Sequence, residues 1–391
     1  MKISNKTLCR RLDRVTAAMD DFGIDVLLVA ASADLKWLTG DNSIDPDSMS
    51  CLIIELDGTA TLAVGPLEAP GIDRDGKPFD VVPLIGKNGK TLPGLITRAV
   101  RRAELRPDRQ SKETVVAYNG EMKAAMLAAI QSRTLPFQAI RWILADDGVV
   151  SRHRRTKNAA EIRVLRAVAK SIDKVVEELQ SGCVPLYGRT EKAVARDIAA
   201  LMLRYGHDEV KFTIVAFGAN AAKPHHVPGD TVIGEGILLL DIGGTRDGYN
   251  SDTTRCLYIG QPPCRVRRAW HLLQKAQDAA FRKARAGVAT RAVDAAARNI
   301  IERAGHGKRF FHSTGHGIGL DVHEAPRVSS KSDERLAVGD VFSIEPGVYF
   351  PGDFGLRLED IVVLTRNGPQ RLNRTSREMV CLSARPTRRK R

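Results

Sequence analysis

The stretch LLLDIGGTRDGYNSDTTRCLYIG, residues 238–260, decides how this chain is read. Its opening apolar run, 238–242, reads as a buried strand around Asp241. Residues 243–248 read as a turn, and 249–260 as the returning strand carrying Asp252. A hairpin of that kind brings the two aspartates near each other. Two carboxylates held together in an apolar setting repel, and desolvation raises the pKa of each. A cation between them would relieve both costs. Taken alone, the hairpin fits either a metal-binding pair or two solvated surface acids.

Residues further along the chain bear on that choice. FFHSTGHGIGLDVHEAP, 310–326, holds His312, His316 and His323. The first two have the spacing of a helical zinc pair, but Gly315, Gly317 and Gly319 break a helix, and Ser313 stands where that motif needs a glutamate. An extended, glycine-rich segment that approaches a crowded site fits better. VFSIEPGVYF, 341–350, predicts a strand closed by Glu345, and FGLRLEDIVVL, 354–364, a strand with Glu359 inside it. One imidazole and four carboxylates are thus available, an oxygen-rich set suited to hard or borderline divalent ions. Four carboxylates carry about the charge that two such ions neutralise, and a pair roughly 3.5–4 Å apart would hold a bridging hydroxide as nucleophile.

These segments, in this order, resemble those of the pita-bread metallopeptidases, the family of Xaa-Pro dipeptidase (prolidase), aminopeptidase P, methionine aminopeptidase and creatinase. The resemblance covers roughly 152–366. It implies an α/β (α+β) chain with an N-terminal creatinase-like domain over 1–150 and a pita-bread catalytic domain over 151–382; the low complexity and basic run of 383–391 predict a disordered tail. It implies that Asp241 binds one metal, that His316 and Glu345 bind another, and that Asp252 and Glu359 bridge both. FGANAAKPHHVPGD, 217–230, is similar to the family's Pro-His stretch, so His225 takes the place of the proton-handling histidine and His226 that of a neighbouring loop residue. By the same mapping His312 lines the substrate pocket and His323 touches substrate or the tetrahedral intermediate. Glu345 is expected to handle a proton as well as metal.

Arg357 precedes Glu359 by two positions, so one strand would place both side chains on one face. There it would orient a bridging carboxylate, meet a substrate carboxylate, or neutralise surplus acid. Tyr249 and Arg255 fit the family pattern around Asp252 as supports. Cys256 departs from it, standing where many relatives have threonine. The expected function is a cytoplasmic, homodimeric hydrolase that cleaves the Xaa-Pro bond of dipeptides or short peptides with two divalent ions. Manganese is expected, with cobalt, zinc and iron as alternatives. Ectoine-hydrolysing relatives supply a second reading, a non-peptidase C–N hydrolase acting on a small amino-acid derivative.

Composition is compatible with this. A chain of 391 residues has room for two cores, and 43% hydrophobic with 27% charged residues describes a globular protein. No run approaches the roughly 20 apolar residues of a membrane span. MKISNKTLCRRLDRV lacks an apolar signal core, and the six scattered cysteines read as reduced thiols. The net charge of +14 raises nucleic-acid binding, but 5% aromatic content and the absence of a recognised motif argue against a specific partner of that kind. Much of that charge lies on helical stretches such as 101–109 and 267–277 and in the tail, with Arg385, Arg388, Arg389, Lys390 and Arg391. Near the N-terminus, 6–23 predicts an amphipathic helix, 24–32 a strand, DLKWLTG (34–40) a turn and 51–65 a strand. Residues 145–162 read as a linker, with a helix starting near Asn158. Trp37 is a candidate for the wall of a partner's site or for the core of its own domain.

Overall fold

Ser4 accepts from the backbone N of Thr7 and so opens α1 (Asn5–Asp21), whose Leu8, Leu12, Val15 and Met19 recur at helical spacing and are buried. Gly23, at φ 62°, ends it by a left-handed turn. The computed structural model describes residues 3–45, 47–85, 91–107, 113–133, 139–145 and 148–384. Two compact units divide the chain, Met1–Arg154 and Arg155–Arg391.

In the first unit the elements after α1 are β1 (Val26–Ala30), α2 (Ala33–Thr39), β2 (Cys51–Glu55), β3 (Ala60–Val64), β4 (Asp80–Pro83), α3 (Leu92–Glu104), β5 (Thr114–Tyr118), α4 (Ala124–Arg133) and β6 (Ile140–Leu144). They form one mixed sheet in the order β4-β3-β2-β1-β5-β6, with only β1–β2 and β2–β3 antiparallel. Two expectations change here. DLKWLTG is the helix α2, because Ser32 caps its start and Gly40, at φ 71°, closes it. The stretch 51–65 is a hairpin of two strands turning through Asp57 and Gly58. Trp37 belongs to the core of this unit, 2% exposed, with the Arg11 guanidinium 4.6 Å from its ring centre.

Then follow α5 (Ser151–Arg155) and α6 (Ala159–Gln180). The start of α6 is a reciprocal capping box between Asn158 and Glu161. After α7 (Glu191–Arg204) come β7 (Glu209–Phe217), β8 (Gly236–Arg246), β9 (Tyr249–Asn250), β10 (Thr253–Ile259), α8 (Cys264–Lys283), α9 (Thr290–Arg303), β11 (Gly315–Gly317) and β12 (Glu324–Val328). The chain continues through β13 (Val341–Ile344), β14 (Gly347–Phe350), β15 (Phe354–Arg357), β16 (Asp360–Thr365), β17 (Gly368–Arg371) and β18 (Val380–Leu382). One sheet runs β18-β10-β8-β7, with β9 paired to β8; a second runs β12-β11-β13-β16-β17; β14 and β15 pair separately. Among the described residues no helix is long and apolar enough to cross a membrane. The basic residues of 385–391 lie outside the described residues.

The decisive hairpin differs from its sequence reading. β8 runs on through Gly243 and Gly244 to Arg246, and the turn is only Asp247 and Gly248, both at positive φ. That is the Asp-Gly chemistry of a two-residue hairpin. A side chain at Gly243 would sit 2.4 Å from the Phe212 ring and 2.6 Å from the Ser251 carbonyl oxygen. These glycines therefore serve close strand approach. FGLRLEDIVVL is likewise two strands: β15 pairs with β14, β16 with β13, and the chain changes sheets at Leu358 and Glu359.

Candidate metal centre

β8 lies between two cores. Leu238, Leu240 and Ile242 pack with Ile172, Val194 and Ile198 of α6 and α7, whereas Ile237 and Leu239 pack with Leu273 and Val293 of α8 and α9. Burial on both faces explains an apolar run where a half-exposed strand would alternate. Strand alternation sends Asp241 to the face of Ile237 and Leu239. It lies opposite Thr254 of β10, two positions beyond Asp252, which occupies the break between β9 and β10.

His316 arrives on β11, which is sandwiched between β12 and β13. A side chain at Gly315 would lie 2.0 Å from the Ser343 carbonyl oxygen, and one at Gly317 2.1 Å from that of Ala325. Only glycine on either side lets this strand enter. Glu345 follows β13 directly, its N–H donating to Thr314 O at 2.8 Å. Glu359 sits at the change of sheets, its N–H donating to Thr254 O at 3.2 Å.

One ligand atom each from Asp252, His316 and Glu359 lies within 4.8 Å of the others. Glu345 Oε1 is 3.3 Å, and Asp252 Oδ2 3.7 Å, from His316 Nε2. Asp241 is held at the edge of this group by Arg357, whose Nη2 donates to Oδ2 at 2.5 Å. His316 Nδ1 donates to Gly317 O at 3.0 Å, which leaves the Nε2 lone pair facing the acids. Glu359 accepts from Thr254 Oγ1 at 2.8 Å and Glu345 from Ser343 Oγ at 3.1 Å. The oxygens Asp241 Oδ1, Asp252 Oδ1 and Glu359 Oε1 are buried and have no hydrogen-bond partner among the described residues. Buried carboxylate oxygens without donors are costly unless a cation meets them. This donor set therefore fits divalent metal.

The electrostatics agree. Burial, then repulsion from Glu359, Asp241 and Glu345, holds the Asp252 carboxyl well above its ordinary range. Glu359 is raised well above its own by burial and by Glu345 and Asp241. Glu345 is pushed up to about 7 by burial, with Asp241 adding to the rise and Arg357 opposing it. Burial lowers the pKa of His316, and that of His323, whose ring centre is 4.2 Å from the His316 ring.

Arg357 departs from one expectation. The change of sheets at Glu359 breaks the strand that would have put both on one face. The guanidinium instead reaches Asp241, Tyr349 Oη at 2.8 Å, Thr254 Oγ1 at 3.1 Å and Pro224 O at 3.4 Å, and it is 3% exposed. All four of these contacts are to the chain's own groups. His312 is half-buried and lowered to about 4 by burial and by Arg357, so it is neutral. Its Nδ1 donates to Ser313 O, which makes Nε2 the acceptor for Tyr349 Oη at 3.0 Å. A chain of donors thus runs from Arg357 through Tyr349 to His312.

His225 is exposed at the third position of a turn in which His226 N donates to Lys223 O. It is among the groups that lower the pKa of His312 and of His323. His226 turns away and donates through Nε2 to Glu191 at 2.8 Å. Arg255 donates to Glu359 O at 2.5 Å and to Asp360 Oδ1 at 2.6 Å, and Tyr249 to Glu161 at 2.8 Å. Cys256 is buried among apolar side chains. Sequence reasoning passed over Thr254 and Tyr349. Thr254 was within reach, since it stands two positions after Asp252 in the stretch read as one returning strand; nothing local to Tyr349 points to its two partners.

Residues 161–366 match metallopeptidase family M24, and residues 11–137 match the creatinase/prolidase N-terminal domain. The probable dipeptidase PepE of Mycobacterium tuberculosis is 36% identical over 381 residues, 95% of this chain and 96% of that protein. The Xaa-Pro dipeptidase of Pyrococcus furiosus is 30% identical over 383 residues, 95% and 99% of the two. The crystal structure of prolidase from Thermococcus sibiricus superposes with a TM-score of 0.85 at 29% identity, covering 98% of this chain and 100% of that one. With its N-terminal creatinase-like unit and its buried cluster of acids around one imidazole, the chain belongs to metallopeptidase family M24.

Proposed function

We propose that this metallopeptidase is an Xaa-Pro dipeptidase that works with two divalent ions. The observation that carries the reading is the set of three buried oxygens, on Asp241, Asp252 and Glu359, without hydrogen-bond partners among the described residues, beside the acid-facing Nε2 of His316. Asp241 would hold one ion and His316 with Glu345 the other, with Asp252 and Glu359 shared. When bound, the ions supply Lewis acidity and lower the pKa of water into the neutral range.

The chain's own residues supply the rest. A proline in the leaving position makes the scissile amide tertiary, so the site needs no acceptor for an amide N–H there. The departing nitrogen needs a proton, and Glu345, a metal ligand beside the scissile bond that also handles protons, is the group assigned to give it. His225 and His323, both exposed, are the donors open to the substrate's carbonyl oxygen and carboxylate. Arg357, Tyr349 and His312 hold one another and Asp241, which fixes that wall of the site. Manganese suits the oxygen-rich donor set, and a homodimer in the cytoplasm remains part of the proposal.

The test compares Xaa-Pro, Xaa-Pro-Yaa and Xaa-Ala substrates with metal-loaded enzyme. Preference for Xaa-Pro is expected; better cleavage of Xaa-Pro-Yaa would make the chain an aminopeptidase, and no cleavage would remove the peptide reading. His225→Ala should lower kcat by roughly 10²–10⁴-fold with metal content unchanged.

A further inference from the structure

Glu191, the first residue of α7, is fully buried and carries a carboxylate that gathers one loop around itself. Its Oε1 accepts from Phe217 N at 2.8 Å and from Asn220 Nδ2 at 3.1 Å. Its Oε2 accepts from His226 Nε2 at 2.8 Å and from Gly229 N at 3.1 Å. The backbone adds two more ties, Glu191 N to Thr231 O and Lys192 N to Gly229 O, each at 3.0 Å. Both ends and the middle of the segment 217–231 are therefore fixed to one residue. Burial alone would raise this carboxyl, yet the donors, His226 foremost, hold it below the ordinary range. Its place at a helix N-terminus also favours the charged form.

Among the described residues His225, inside that loop, has no such restraint of its own. Pro224 before it has a fixed φ, and Pro224 O accepts from Arg357 Nη2. His226 after it is pinned to Glu191. The imidazole is thus presented by a two-point mount, one point on the arginine that holds Asp241 and the other on Glu191. We propose that Glu191 is a positioning residue for His225, acting through His226 and the 217–231 loop. The inference rests on the role given to His225 above.

Glu191→Gln turns one acceptor oxygen into a donor, so at least two of the four loop donors lose their partner in either amide orientation. A misplacement of about 1 Å at a catalytic group costs on the order of 10²-fold. The test is a double-mutant cycle on the metal-loaded enzyme with an Xaa-Pro dipeptide, reading kcat, KM, metal content and Tm. Glu191→Gln should lower kcat by about 10–100-fold, the range for residues that orient a functional group, with KM and metal content little changed. In the His225→Ala background the same substitution should change kcat by less than about two-fold, the mark of two residues acting as one unit. Equal losses in both backgrounds would overturn the positioning role while leaving His225 in place. No loss from His225→Ala alone would instead overturn the role of His225, and this inference with it. Should Glu191→Gln fail to fold, His226→Ala removes a single donor; it should lower kcat several-fold with His225 present and not without it, and equal losses would again overturn the proposal.

Discussion

Arg357 donates to Asp241, Tyr349 and Thr254 at once, so its removal releases three restraints on the site together. A lysine keeps the charge but cannot span three acceptors with a fork. Arg357→Lys should therefore retain metal while kcat falls on the order of 10²-fold. Metal analysis and steady-state kinetics on one preparation check this, and undiminished turnover would contradict the account of Arg357. The acids make a second prediction. Asp252 and Glu359 titrate well above the ordinary carboxylate range, and Glu345 near 7, so chelated protein at neutral pH binds protons there. Adding Mn2+ in weak buffer should release them, and apparent affinity should rise from pH 6 to pH 8. Uptake of metal with no acidification would rule out the protonated cluster.

At the scale of elements, what the sequence made legible was chemistry placed on strands. The apolar run around Asp241, the glycines around His316 and the positions of Glu345 and Glu359 could all be read directly. Strand limits could not, because Gly243 and Gly244 look like turn residues until Phe212 and Ser251 are seen beside them. The change of sheets at Glu359 was equally hidden, since FGLRLEDIVVL has one continuous β pattern but two sets of partners. The Glu191 mount was out of reach, as its donors come from residues 26 to 38 positions later. Gly317→Ala should displace β11 and weaken metal binding while destabilising the chain by about 1–3 kcal/mol, as overpacking does. Unaltered binding in a metal titration would refute the close-packing argument.

Asp173 of α6 tests a different element contact. It accepts from Arg374 N at 2.7 Å, and burial pushes its carboxyl up to about 6. A raised acid binds more protons folded than unfolded between pH 4 and 6, so its share of stability is present at low pH and lost as pH rises through 6. Asp173→Asn keeps one acceptor and removes the titration. Denaturant unfolding of the chelated proteins should show the native chain losing more stability than the variant between pH 5 and 7. Parallel curves would refute the raised pKa.

Across the whole molecule, each unit carries its own core, and the two unit types could be told apart in the sequence by where strands alternate with helices and where acids and glycines cluster. The expected ligands lie on or directly beside strands of the second unit's sheets. Metal bound there should raise its unfolding temperature, by about 2.7 kcal/mol of stability at a hundredfold excess over Kd. Trp270, buried beside α9, is the reporter once Trp37 and Trp142 are replaced by Phe. An unchanged transition on loading would argue against a metal shared between sheets.

The change of sheets at Leu358 and Glu359 also sets an order in time. Asp241 leaves the ribosome well before Glu359, and β10, which lies beside β8, closes against a strand from the last residues described, β18. A nascent chain halted before Glu359 carries three acids and an imidazole but not the final carboxylate. The expected ligand set is therefore complete only once Glu359 has been made, after both strands of the Asp241 hairpin.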